Sequence, residues 1–334
     1  MSWIMLISLS GVAMTLSASS WWMAWLGVEV FGLFFIPAMK LSGWSGMKSS
    51  LWHYYLIQSI SSSLLLMLLN SLMNYSFLNF MFSWSNLSSV MLLVPIFMKL
   101  GLPPFHSWIL SLSGSLTWLT FFLVNSIAKI GPLVILHEMV NSNLCSKEVM
   151  GIVSLVTLMF ILPFYRESML RQLLVYSGMV TLCWTMAAMT VSLALWVLLF
   201  SSYILSMMML TWELSRLGPS GALQVTLLGP SSGCSHKFMI LLMVMNISGY
   251  PPTPMFFMKL MVLWVGAKSV GLWIFILMIL SIIYLKVYYS LGLSTVVQTF
   301  TMSNSSSMYS SSSAKMMILI LFSLFYLFFL LPDC

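Results

Sequence analysis

Along most of the chain, apolar residues run on without the alternation of a half-buried strand or the single stripe of a soluble helix. The runs are punctuated by short clusters of Ser, Asn, Gly or Pro, or by an isolated charge. A membrane-spanning helix needs about 20 mainly apolar residues. On that measure the pattern predicts about eleven spans, at 3–19, 21–39, 52–73, 87–102, 117–139, 148–163, 171–190, 191–213, 237–266, 269–290 and 315–331. Two of them are interrupted. The fourth runs into Gly101-Leu-Pro103-Pro104, and the ninth contains Gly249-Tyr-Pro251-Pro252-Thr-Pro254. The expected fold is all-α, a polytopic transmembrane helix bundle with two Pro-interrupted helices. No long polar segment divides it, so residues 1–334 read as a single domain. The polar stretches at 217–235 and at 301–313 (Ser-rich) read as flexible connectors.

Composition supports this reading. Of 334 residues, 60% are hydrophobic and 6% charged, with mean hydropathy +1.03; a soluble protein carries roughly 25% charged residues. The formal charge of +7 comes from 13 Lys and Arg against 6 Asp and Glu. These cations form no run, which argues against nucleic-acid binding and for membrane orientation. Lys40, Lys48, Arg166, Arg171, Arg216, Lys237 and Lys315 fall on one side, with Lys286 near it. Lys147, beside Glu148, is the main cation opposite. The bias predicts an inner N-terminus and an outer C-terminus, in keeping with an odd number of spans. Cys145, Cys183, Cys234 and Cys334 have neither zinc-site nor disulfide spacing. The first segment lacks the basic, amphipathic character of an import presequence and reads as a retained helix. Such a chain is expected to be made in the compartment where it resides.

Charge at mid-membrane depth costs a few kcal/mol or more and marks a wet interior or a pathway. Four residues qualify: Glu29 within WWMAWLGVEVFGLFFIPAM, Lys99 at the end of the fourth apolar run, Lys129 within FFLVNSIAKIGPLVIL, and Lys259 in GYPPTPMFFMKL. Lys129 is too central in its span to reach water by stretching. Lys99 and Lys259 lie beside breaks, where each could serve a pathway or satisfy freed backbone carbonyls. Desolvation brings the charged and neutral forms of a carboxyl or amine closer in energy, so a line of such groups can pass protons. Glu138, Glu148, Glu167 and Glu213 lie near span ends and do not make a metal cage. The breaks, at Gly101, Pro103 and Pro104 and at Gly249, Pro251 and Pro252, remove hydrogen bonds that lipid cannot replace. Paired interruptions of this kind are a mark of repeat-built transporters. His106 follows the first break and is either a relay member or a polar anchor for a freed carbonyl. His53, His137 and His236 suggest no role.

In order, WMAWLGVEVFGLFFIP, MKLGLPPFHSWI, AKIGPL and SGYPPTPMFFMK resemble the subunit 2 family of mitochondrial NADH dehydrogenase. These are antiporter-like subunits in the membrane arm of respiratory complex I. The similarity runs from about residue 15 to 290, and K-L-G-x-x-P-F-H-x-W is its most specific part. The resemblance implies a hydrophilic axis formed by Glu29, Lys99, Lys129 and Lys259, in a version lacking three N-terminal helices. It also implies a multi-pass protein of the mitochondrial inner membrane with its N-terminus in the matrix. Its partners would be the other membrane-arm subunits, in an obligate hetero-oligomer, together with membrane lipid. NADH, FMN, iron–sulfur clusters and ubiquinone would belong to other subunits, leaving this chain without cofactor or metal. One departure stands beside Lys259: Met255-Phe256 follows an added Pro254 where the family usually has Gly-Phe. The 32 methionines and abundant serine fit an invertebrate mitochondrial genetic code. Two other functions use the same parts: a free-standing cation/proton antiporter, and a structural subunit whose charges only hold helices together.

Overall fold

The computed structural model describes residues 2–42, 48–73, 85–142, 147–160, 169–216, 234–251, 253–269, 274–279, 281–282 and 284–285. The bundle is helical: α1 (Ser2–Leu16), α2 (Trp21–Ser42), α3 (Lys48–Met73), α4 (Ser85–Leu100), α5 (Ser107–Ser113), α6 (Trp118–Asn125), a 3₁₀ turn (Ile127–Lys129), α7 (Ile130–Asn141), α8 (Lys147–Phe160), α9 (Leu170–Val191), α10 (Leu193–Arg216), α11 (Cys234–Ser248) and α12 (Pro254–Ser269). The first nine expected spans map onto these elements within a few residues. Of the tenth, residues 274–279 are helical. The eleventh span, the 301–313 connector, residues 217–233, Pro252, Arg166, Glu167, Lys286 and Lys315 lie outside the described residues.

Among the described residues, four stretches are long and apolar enough to cross a membrane: Trp21–Ser42, Trp118–Asn141, Leu170–Val191 and Leu193–Arg216. This is a multi-pass membrane protein. The central element is α9, with 94% of its most apolar 18-residue stretch buried. Around the N-terminal helices, missing side chains let backbones meet. A Cβ on Gly11 would stand 2.7 Å from the Gly27 carbonyl, and one on Gly27 would stand 2.7 Å from the Gly11 carbonyl. A Cβ on Gly131 of α7 would come within 2.8 Å of Val28. Small-residue contacts are the usual route to close packing between membrane helices. Here they draw α1, α2 and α7 together, which sets the depth and facing of Glu29.

Both expected breaks are present, and their backbone hydrogen bonding matches. Gly101 (φ +68°) ends α4 and Gly249 (φ +82°) ends α11, each in the left-handed region that glycine enters without a Cβ penalty. Leu102 N–H then donates to the Phe97 carbonyl and Tyr250 N–H to the Met245 carbonyl, each five residues back. This is the Schellman closure of a helix C-terminus. Next, Phe105 N–H donates to Leu102 and Thr253 N–H to Tyr250. The two interruptions are therefore one backbone device used twice. Pro103-Pro104 is a cis peptide bond. Pro254 is the first residue of α12, the position where a proline's absent N–H loses nothing. The departure beside Lys259 thus starts a helix.

Two features differ from expectation. The fifth span is broken: α6 ends at Asn125, a 3₁₀ turn carries Lys129, and α7 begins at Ile130. Pro132 explains it, because its ring would collide with the Ala128 carbonyl of a continuous helix and it brings no N–H. Arg171, counted among the orienting charges, is buried. It donates to the Gly114 carbonyl at 2.9 Å and lies 4.6 Å over Trp118, clasping the α5–α6 turn to α9.

Candidate functional site: a buried charge axis

At the α2–α4 contact, Lys99 Nζ lies 3.0 Å from Glu29 Oε1. The lysine side chain is 3% exposed and the carboxylate 24%. The pair closes against the first break, where Trp108 Nε1 donates to the Met98 carbonyl and its ring lies 5.3 Å from Tyr54 of α3. Glu29 thus neutralises a lysine that could otherwise be held only at the cost of several kcal/mol for an unpaired buried charge.

Lys129 has a different setting. It is 2% exposed and its ammonium has no hydrogen-bond partner among the described residues. From the 3₁₀ turn its side chain lines a cavity against α2 and α3, and its Nζ reaches Gly178 of α9. The cavity is small, about 20 Å³ or room for roughly one water, and is lined by both Lys99 and Lys129, with Tyr54, Gln58 and Gly32 on its other walls. On the α9 side, Lys129 Nζ stands 3.3 Å from where a Cβ on Gly178 would lie, and the Tyr203 hydroxyl stands 2.6 Å from the same point. That hydroxyl is 3.5 Å from the Asn125 carbonyl, which ends α6. Sequence reasoning missed Gly178, Asn125 and Tyr203, because a glycine, an amide and a tyrosine within apolar spans carry no distinguishing pattern.

Lys259 is 3% exposed and donates to the Ser248 carbonyl at 3.1 Å. That carbonyl ends α11, where the helix dipole places partial negative charge. Its ammonium also lies 5.8 Å over the Trp184 ring of α9, at the outer reach of a cation–π contact. The positive-φ Gly249 leaves room for it, since a Cβ there would stand 2.7 Å from Nζ. The structure therefore joins Glu29 to Lys99, opens a shared cavity between Lys99 and Lys129, and places Lys259 across α9.

The histidines lie apart from this line. His106 is half-buried beside Tyr176, with ring centroids 6.3 Å apart, and its Nδ1 is buried without a hydrogen-bond partner among the described residues. His53 is exposed. His137 is buried against Trp196 and 3.5 Å from Glu138 Oε1, near the far end of α7.

Solved structures of membrane complexes share the fold of this helical bundle. The chain superimposes on a chain of respiratory complex I from Thermus thermophilus with bound aureothin at TM-score 0.73. The two are 15% identical, over 87% of this chain and 69% of that one. It superimposes on a chain of the Mrp complex from a Dietzia species at TM-score 0.67, with 15% identity over 88% and 58% of the two chains.

More particularly, the sequence is similar to NADH-ubiquinone oxidoreductase chain 2. The dog protein (Canis lupus familiaris) is 29% identical over 316 residues, 91% of this chain and 88% of that one. The protein of Varanus nebulosus is 28% identical over 260 residues, 76% and 74% of the two. No family model matches the chain. The resemblance drawn from the four motifs is borne out by these relatives.

Proposed function

We propose that the chain is a proton-translocating membrane subunit of the H⁺-translocating NADH:ubiquinone oxidoreductase, respiratory complex I, built as one antiporter-like domain. It would lie in the mitochondrial inner membrane with its N-terminus in the matrix, among the other membrane-arm subunits. NADH, FMN, iron–sulfur and ubiquinone chemistry is assigned to those other subunits. The relatives' name supports the complex. The observation that carries the mechanism is Lys129: a buried ammonium without a fixed counter-charge among the described residues, sharing a cavity with the paired Lys99.

The Glu29–Lys99 pair would act as the switch. While it is closed, Glu29 offsets the charge of Lys99. Opening it presents an uncompensated ammonium to Lys129 across the cavity, and like charges in a low-dielectric interior repel strongly. Lys129 then passes its proton away from Lys99, toward Lys259. In the reverse stroke the pair re-forms and Lys129 reloads. His106, at the first break, is a candidate side member of this relay or an anchor for the Pro104 backbone.

The same fold serves cation/proton antiporters, so the reading needs a test of the protein's surroundings. Purified from its native membrane, the chain is expected to travel with a rotenone-sensitive or otherwise quinone-linked NADH dehydrogenase activity. An isolated chain that exchanges Na⁺ for H⁺ in liposomes, with no redox complex attached, would overturn this reading.

A further inference from the structure

The axis has a gap at α9. Lys129 packs at Gly178 and Lys259 over Trp184; these positions are six apart and so face different sides of the helix. Among the described residues no hydrogen bond joins the two lysines. The hydroxyls of α9 at this level do not bridge it either, because Ser177, Thr181 and Thr185 each donate to a carbonyl of their own helix three residues back.

One polar group reaches round α9 from the neighbouring helix. Tyr203 of α10 is fully buried, an unusual place for a phenol unless its hydroxyl is used. That hydroxyl and Lys129 Nζ lie 2.6 and 3.3 Å from one point, the position of the absent Gly178 Cβ. Those two distances bring Nζ and the hydroxyl within reach of one bridging water. The residue before it, Ser202, places its Oγ 2.9 Å from Met255 Sδ. Met255 lies one helical turn from Lys259 on α12. At this level α10 therefore touches the Lys129 pocket with one residue and the helix of Lys259 with the next.

We propose that Tyr203 is the relay residue that takes the proton of Lys129 onward to the Lys259 side, with Gly178 kept free of a side chain so the two can meet. This rests on the reading of Lys129 as a proton carrier. The step balances without net charge on the phenol. A proton from Lys129 Nζ arrives at the phenol oxygen through one water. The phenol's own proton passes through water to Lys259 in its amine form, which becomes the ammonium, while Lys129 is left as the neutral amine and the hydroxyl is restored. Rotation of the O–H away from the Asn125 carbonyl, which it faces at 3.5 Å, resets it.

The test is Tyr203→Phe in the assembled complex, which keeps the ring and removes the oxygen, with Gly178→Ala as a second variant that pushes a methyl into the hydroxyl. Proton transfer through this subunit should slow on the order of a hundredfold, the lower range for loss of a positioned proton-transfer group. It would be read as fewer protons pumped per electron and a larger H₂O/D₂O rate ratio per assembled complex. Lys129→Met is run alongside. If that variant loses pumping while Tyr203→Phe keeps the wild-type proton ratio and isotope effect, Tyr203 is not the relay and the function of Lys129 stands. If Tyr203→Phe lowers only the amount of complex, with normal values per complex, its role is structural and the proposal falls. If both variants pump normally, the function assigned to the axis fails and takes this inference with it.

Discussion

At the scale of single residues, the proposed switch is an ion pair whose halves have unequal surroundings. Lys99 is nearly sealed, while Glu29 keeps about a quarter of its side chain accessible. Removing the carboxylate alone leaves a buried ammonium unpaired, which costs about 3–5 kcal/mol in sealed sites and less here because Glu29 is partly wet. Glu29→Gln should therefore lower the amount of assembled complex. Adding Lys99→Met should restore much of that amount, because an apolar pair of similar size removes the stranded charge. Pumping should stay impaired in the double variant. Native gels and proton-to-electron ratios on the four members of this cycle check both parts. The four axis charges were legible in the sequence, because charge in an apolar run is costly wherever the run spans a membrane. Their partners were not. Glu29 and Lys99 are 70 positions apart, and nothing in either local pattern names the other. Tyr203 was hidden for the same reason, since only the close approach at Gly178 separates it from an ordinary core aromatic.

At the scale of elements, the lysines are placed by interruptions more than by helices. The Schellman closures at Gly101 and Gly249 were readable as Gly-x-Pro-Pro, and the structure adds that both are completed by equivalent backbone bonds. The third interruption, at 126–129, lies where hydrophobic length alone predicts a continuous span. Its signal was Pro132, which sits three positions into α7 and hinders α-helical closure on Ala128. That break matters for the proposed function because the 3₁₀ turn carries Lys129. Pro132→Ala removes the collision and supplies an N–H, so α7 should extend back through the turn and swing Lys129 from Gly178 and Tyr203. Substituting a helix former for an interior proline is worth up to about 3 kcal/mol. The expected outcome is a complex at least as heat-resistant as wild type with fewer protons pumped per electron. Thermal inactivation measured beside pumping checks it; unchanged pumping would show that the turn does not aim the lysine.

At the scale of the molecule, the apolar surface and the polar line inside it are two sides of one design. Trp3, Met67 and Trp264 are 70% exposed or more, as expected where lipid or a neighbouring subunit replaces water. Inside, a cavity lies between two of the four charges, and a tightly packed central helix separates the third from the fourth. The class of protein and its run of spans were legible because hydrophobic length is a direct requirement of the bilayer. The line itself was not, because it depends on which faces of α2, α4, α7, α9 and α12 meet, and spans apolar on every side do not encode their facing. The claim at the centre is that Lys129 carries a proton in step with electron transfer elsewhere in the complex. The direct measurement is the ratio of protons pumped to electrons delivered to quinone in assembled complex carrying Lys129→Met. A lowered ratio with electron entry still active is the predicted result. A wild-type ratio at a wild-type rate would contradict the account.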